Sequence, residues 1–416
     1  MSFGIYIHIP YCKQLCPYCD FTRYSIDKMT AVLPPEKYIE LLKLEISARA
    51  QAVGPRVLQS IYFGGGTPSL LEPKLIVSII EELANHGFTF QENAELSIEI
   101  DPGTIDEKKL DALIAGGFNR FSVGAQTFNS RLLKIAGRKH SREETIALLT
   151  MMRAKRLNYS FDLLFALPTQ SLAELKEDLE LALLFDPSHL SAYCLNVAEN
   201  HPMNKARALD EEQVEMFSLI EEVLLRSHIQ RYEISNFAKP GFESKHNLHY
   251  WNDSEYWGLG VSAHSYFKTS CWGERFSNPK RIKDYQKQIL DWTASASASA
   301  SQWNFAQHLA AEDFEALELH QSLSDFCHTS LRLKRGLNKD LLAQKFSPAI
   351  AGAVAARLLE LESNELVENF TPFWRLTDQG KLLANLVFEK LTFNRDELQN
   401  YLPPQVDKRG SRPILR

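Results

Sequence analysis

The chain has 416 residues, more than a single core usually supports, so two or more domains are expected. Hydrophobic content of 44% and charged content of 24% are globular values and exclude a disordered or fibrous chain. A net charge of −6 argues against a nucleic-acid binder, and no apolar run approaches the length of a bilayer span. Contact with a membrane surface stays open. With nothing marking secretion, the expected compartment is the reducing cytoplasm.

In chain order, Phe3–Ile9 is apolar, short and without a basic flank, so it reads as a buried strand and not as a signal peptide. A cysteine-rich loop follows, then an amphipathic helix over Pro35–Ala52. Strands are predicted at Ser60–Phe63, Glu95–Asp101, Arg120–Ala125, Tyr159–Ala166 and Leu190–Val197. Between them lie helical patterns at Pro73–His86, Asp106–Ala115, Arg142–Arg156 and Leu172–Leu184. Six strands alternating with helices imply a parallel α/β sheet, a partial TIM-type (β/α)6 barrel, whose chemistry belongs at the C-terminal ends of its strands. Polar or glycine-rich clusters fall at those ends: the cysteines after the first strand, Gly64-Gly65-Gly66-Thr67-Pro68 after the second, Glu99-Ile100-Asp101 at the third, Gln126 at the fourth and Asp162 in the fifth.

Beyond residue 230 the pattern changes. Residues 231–293 carry Lys245-His-Asn-Leu-His-Tyr-Trp251 and a glycine/aromatic run, 294–304 is an alanine/serine linker, and 305–416 reads as a smaller α+β domain. Two helices, a hairpin and a further helix give that domain a winged-helix-like character. The acidic net charge makes it a packing or protein-contact module.

Cys12-Lys-Gln-Leu-Cys16-Pro-Tyr-Cys19 places three thiols within eight residues, whereas Cys194, Cys271 and Cys327 stand alone and read as ordinary core or surface thiols. Thiolates suit zinc or iron–sulfur clusters. A structural zinc site is closed by a fourth ligand, for which His8 is near enough, while a cubane held by three cysteines keeps one iron open. Spacing alone leaves zinc, a cluster and no metal as alternatives. Glycines after the second strand let main-chain groups approach a ligand. Glu99 and Asp101 share one side of their strand and need partners there, with Arg120 a candidate.

The C-x-x-x-C-x-x-C motif resembles the signature of the radical S-adenosylmethionine (SAM) superfamily. A wider resemblance, over residues 3–380, is to its coproporphyrinogen dehydrogenase (HemN) and HemW branch. It is carried by Tyr6–Cys12, Phe63–Ser69, Ser97–Asp101, Arg120–Gln126, Asp162–Gln170 and His246–Trp251. The resemblance implies a [4Fe–4S] cluster on Cys12, Cys16 and Cys19. It implies SAM near Tyr6 and against Gly65, Gly66, Thr67, Glu99, Gln126, Arg138 and Asp162, with the Arg138 fork suited to the SAM carboxylate.

Two departures separate the branches. The dehydrogenase has a fourth cysteine two residues after the third, where this chain has Phe21, and an extension ahead of its cysteine loop, where eleven residues precede Cys12. The His246–Trp251 segment resembles the H-N-x-x-Y-W stretch of the HemW side. Imidazole is a common axial ligand of haem iron, so His246 is the candidate haem contact, ahead of His249 and His264. By itself the segment reads rather as a pair of satisfied histidines beside a packed aromatic cluster. The implied function is a haem chaperone that binds haem and passes it to haem-accepting proteins. The alternatives are oxygen-independent coproporphyrinogen III dehydrogenase and a zinc-bound scaffold.

Overall fold

The structure, a computed structural model, describes residues 3–268, 272–296 and 314–401. It divides into two compact units, Met1–Thr269 with Glu274–Glu315, and Ser270–Gly273 with Ala316–Arg416.

The larger unit is built on β1 (Phe3–Ile9). Every residue of β1 except Tyr6 is buried, as expected for a parallel strand covered on both faces. The short strands β2 (Tyr11–Cys12) and β3 (Tyr24–Ser25) pair in parallel and pin the two ends of the cysteine loop together. There follow β4 (Val57–Gly65), β5 (Thr89–Ile100), β6 (Arg120–Gln126), β7 (Tyr159–Phe165) and β8 (His189–Cys194). These are the predicted strands, with β4 longer at both ends, β5 longer at its N-terminal end and β8 ending at Cys194 instead of Val197. Next come β9 (Gln230–Arg231), β10 (Asn236–Ala238), β11 (Glu255–Leu259), β12 (His264–Phe267), β13 (Glu274–Ser277) and β14 (Phe314–Ala316). The sheet runs β14-β13-β12-β11-β1-β4-β5-β6-β7-β8-β10-β9, an open, partial barrel. From β11 to β8 it is parallel, and the pairs β8–β10, β10–β9, β11–β12 and β12–β13 are antiparallel.

One of those parallel strands is additional to the six expected. Within the glycine/aromatic run, β11 lies on the far side of β1, pairing Phe3 with Glu255 and Ile7 with Leu259. A buried network holds it there. Glu45 accepts from Gly260 N at 2.9 Å, Asn278 Nδ2 at 2.7 Å and the Tyr285 hydroxyl at 2.7 Å, and is paired with buried Arg49. Such a pair is tolerable inside a protein because the carboxylate's other acceptor sites are filled and the guanidinium lies over the Trp257, Phe276 and Trp292 rings.

The helices start where the sequence supplies caps. Ser141 and Ser171 each form a reciprocal capping box, with Glu144 and Glu174, opening helices Arg142–Ala154 and Leu172–Leu183. Lys245–Trp251 is also a helix, capped by the Ser244 side chain. Helix Ile282–Ala296 includes the first residues of the expected linker; the rest of 294–304 lies outside the described residues, as do Cys271 and the basic tail 408–416.

In the smaller unit, helices Leu319–Arg332, Lys339–Phe346 and Pro348–Ser363 precede the hairpin of β16 (Val367–Phe370) and β17 (Phe373–Leu376). The two-residue strand β15 (Leu337–Asn338) joins it on the β17 side. Among the described residues, three helices stand where two were expected.

Candidate metal and cofactor site

The cysteine loop is seated on the glycine-rich end of β4. Gly66 N donates to Ile9 O at 2.9 Å and Thr67 N to Tyr11 O at 2.7 Å, so the loop's first turn is zipped to the strand end. Gly65 has φ +99°, and a Cβ there would lie 2.3 Å from the His8 ring. No other residue fits that conformation and that space. Arg23 Nη2 donates to Cys16 O at 2.6 Å, Cys19 N closes a turn on Cys16 O, and the Thr67 hydroxyl approaches Cys12 Sγ at 3.6 Å.

His8 does not complete this set as a ligand. Its Nε2 bonds to Thr22 O at 2.7 Å and its Nδ1 meets the Tyr6 hydroxyl at 3.1 Å, so both nitrogens are spent on holding the loop's far end to β1.

Cys12, Cys16 and Cys19 line one small cavity with Gly65, Gly66, Thr67 and Arg138. Burial pushes the Cys12 thiol up to about 11 and raises that of Cys19, so both hold their protons until a cation displaces them. Among the described residues no three His, Cys, Asp or Glu side chains gather as they would around a single metal ion. Three thiols in a shared concavity, with the Arg138 and Arg23 guanidinium groups beside them, suit a larger anionic centre.

A second cavity of about 650 Å³ opens from the same wall and runs down the concave face of the sheet. Of the expected SAM residues, Gly65, Gly66, Thr67, Glu99, Gln126, Arg138 and Asp162 all line it. Glu99 accepts from the Tyr62 hydroxyl at 2.9 Å and Gly65 N at 3.2 Å. Burial, helped by the nearby Asp162 charge, still raises its carboxyl to about 7. Asp162 is raised by burial to about 6. Gln126 reaches the cavity from a left-handed residue, φ 64°, where β6 slips register against β7. Behind it, buried Asp178 accepts from the Thr127 hydroxyl and from Phe128 N at 2.8 Å, fixing the turn.

Arg138 donates through Nη2 to Asp101 at 2.5 Å and to Gly124 O at 3.1 Å, and its Nη1 approaches Cys16 Sγ at 3.6 Å. Its Nε is buried without a partner. The partner of Asp101 is therefore Arg138, and Glu99 takes Tyr62, so Arg120 is not what the strand-three carboxylates required.

Two expected residues line neither cavity. Tyr6 packs against Tyr62 and gives its hydroxyl to His8. His246 is 1% exposed. Its Nδ1 meets the Ser60 hydroxyl at 2.8 Å, its Nε2 meets the Tyr250 hydroxyl at 2.9 Å, and its ring stacks on Tyr62 at 5.2 Å. The expectation of an iron-facing imidazole at His246 is corrected: with both nitrogens bonded in the core, it offers no lone pair to a ligand. His249 is buried in the same cluster.

Residues that sequence reasoning missed include Tyr18, Tyr62, Ser122, Ser160, His189, Ser191 and Tyr193, all on the larger cavity. Their signal was present: β6, β7 and β8 alternate polar with apolar residues, unlike a parallel strand buried against apolar neighbours on both faces.

A cluster-sized pocket of three thiols opening onto a second cavity, at the C-terminal mouth of a parallel sheet, defines a radical SAM protein. Residues 6–182 match the radical SAM superfamily and residues 317–383 the HemN C-terminal domain. The chain belongs, within that superfamily, to the HemW family. It is 31% identical to the heme chaperone HemW of Bacillus subtilis (strain 168), over 92% of this chain and 97% of that one. To HemW of Buchnera aphidicola (subsp. Schizaphis graminum) it is 36% identical, over 92% and 96%. The coproporphyrinogen III oxidase (HemN) of Escherichia coli shares the fold, with TM-score 0.77 and 24% identity over 94% of this chain and 90% of that one. Membership of the superfamily implies a [4Fe–4S] cluster and SAM.

Proposed function

We propose that this chain is a cytoplasmic haem chaperone that carries a [4Fe–4S] cluster and SAM, binds haem and delivers it to haem-accepting proteins. The observation that carries the cofactor assignment is the convergence of Cys12, Cys16, Cys19, the glycine-rich end of β4, Glu99 and Arg138 on adjoining cavities. In this reading the three cysteines hold the cluster. Glu99 receives the SAM ammonium, Arg138 turns its unpartnered Nε edge to the carboxylate, and Gln126 and Asp162 meet the nucleoside. Gly65, Gly66 and Thr67 bring main chain against the ligand. Tyr6 and His246 act from behind, buttressing Tyr62 and through it Glu99. When bound, the cluster supplies an open iron for SAM and the electrons for any reductive chemistry.

Haem binding is supported by the names of the HemW relatives and by the mouth of the cavity, where Tyr18, Phe21 and Tyr193 offer flat apolar surface. Phe21, at the position where the dehydrogenase carries its extra cysteine, is 62% exposed. The test is a titration of the anaerobically reconstituted protein with haem, alongside an assay for decarboxylation of coproporphyrinogen III with SAM and a strong reductant. A saturable Soret band without turnover is expected. Robust decarboxylation would replace the chaperone reading with the dehydrogenase.

A further inference from the structure

The inner face of the sheet is polar to its floor. The register of β5 to β8 places Glu99, Ser122, Ser160 and His189 on one row, with Arg120 two residues below Ser122 on β6. The interior of a TIM-type barrel is ordinarily filled by branched apolar side chains. Here small hydroxyls leave space, and Arg120 and His189 line it from below.

The hydrogen bonds fix what that floor can bind. Ser160 donates to Ser122 at 3.2 Å and Ser122 to Asp162 at 3.5 Å, so those hydroxyl protons are already directed upward to the carboxylate. Tyr232 accepts Ser244 N–H at 3.3 Å, and its hydroxyl meets His189 Nε2 at 2.9 Å, where it can donate its own proton. Burial, reinforced by the Arg120 charge, holds His189 well below its ordinary value, hence neutral. With Nε2 accepting, its one proton sits on Nδ1, and Nδ1 is buried with no partner. Arg120 uses Nη1 on Phe242 O at 3.1 Å, while Nε lies 3.9 Å from Glu95. Glu95 is itself occupied by Ser244 Oγ and the Lys245 and His246 amides. Arg120, held by Phe242 O and Glu95, and the unpartnered Nδ1 of His189 are thus the basic groups that an acceptor reaching the floor would meet.

We propose that the floor of the lumen, at Arg120 and His189 Nδ1, is an oxyanion subsite that takes a carboxylate, separate from the groups assigned to SAM above it. The carboxylate belongs either to a free small acid or to a propionate arm of haem. The second source rests on the haem reading above, and the first does not.

The test uses the full-length, cluster-loaded protein. Succinate binding is measured by titration calorimetry, and haem and its dimethyl ester are compared by absorption, in wild type, Arg120→Gln and Arg120→Lys. A free-acid site predicts saturable succinate binding that weakens at least about tenfold in Arg120→Gln and is largely kept in Arg120→Lys, in line with the strength of charge-assisted bonds. A haem-arm site predicts that haem binds about tenfold or more tighter than its ester, with the difference lost in Arg120→Gln. If haem binds but neither preference depends on Arg120, the subsite is overturned while the haem reading stands. Absence of haem binding with Arg120-dependent succinate binding rejects the haem reading and keeps the subsite. Should Arg120→Gln fail to fold, Ser160→Val fills the same floor from β7 and carries the same comparisons.

Discussion

Cys12, Cys16 and Cys19 face a cavity, whereas His246, Tyr250 and His249 are packed against Tyr62 and Tyr256 inside the core. Both stretches carry residue types that bind iron, and both resemble family motifs. What separates them is unspent valence. The thiols have long contacts, to Thr67, Arg138 and Gly137 O, of 3.6 to 3.9 Å, while each nitrogen of His246 has a hydroxyl within 2.9 Å. The cysteine loop is built to meet something absent from the chain itself. The histidine helix, capped at its start by Glu95 and Ser244, is built to hold β1 and β4 in place.

The contrast breaks most severely beneath the loop. Gly65→Ala forces a left-handed alanine and drives its Cβ into buried His8. Backbone strain and overpacking together should cost roughly 3 kcal/mol or more in urea unfolding, and cluster content should fall with it. A stable, fully loaded Gly65→Ala protein would show that the loop does not depend on this seat.

On the other side, His246→Ala removes a buried ring and strands Ser60 and Tyr250. A stability loss of about 2–4 kcal/mol is expected. Haem affinity of the folded variant should change less than threefold. Loss of the Soret band with stability intact would return His246 to the role of iron ligand.

Glu99 sharpens the contrast through pH. Its folded carboxyl titrates near 7, above the ordinary 4.5, because burial and Asp162 disfavour the charge. In the ligand-free protein its contribution to stability is therefore fully present below about 4.5 and lost as pH rises through 7. A SAM ammonium needs the ionised form, so binding expels a proton below pH 7. Apparent SAM affinity should weaken up to about tenfold per pH unit as pH falls from 7 to 5. Glu99→Gln should bind SAM more weakly and lose this slope. An unchanged slope in that variant would place the titrating group elsewhere.

Much of this was legible in the sequence, and the losses have physical reasons. The strand order from β1 through β8 followed from alternating strands and helices, because handed, local crossovers leave few other arrangements. The cavity wall followed from polar residues at strand ends. Strand β11 was missed because its partner is 252 residues away by the Phe3–Glu255 register and no crossover helix announces it. His246 was misplaced because Ser60, which satisfies it, is 186 residues distant, and a sequence does not show which valences are filled. The polar floor was visible as alternation in Arg120–Gln126, Tyr159–Phe165 and His189–Cys194. Only the register showed that Ser122, Ser160 and His189 share a row.

The most direct measurement is electron paramagnetic resonance of the anaerobically reconstituted, reduced protein, with and without SAM, in wild type and Cys16→Ala. Three thiols on a cavity wall that opens toward Glu99 and Arg138 predict a cubane signal, with about four irons per chain. They also predict that SAM shifts that signal and that Cys16→Ala abolishes it. A full iron complement whose signal SAM leaves unchanged, or a stoichiometric zinc in place of iron, would contradict the account.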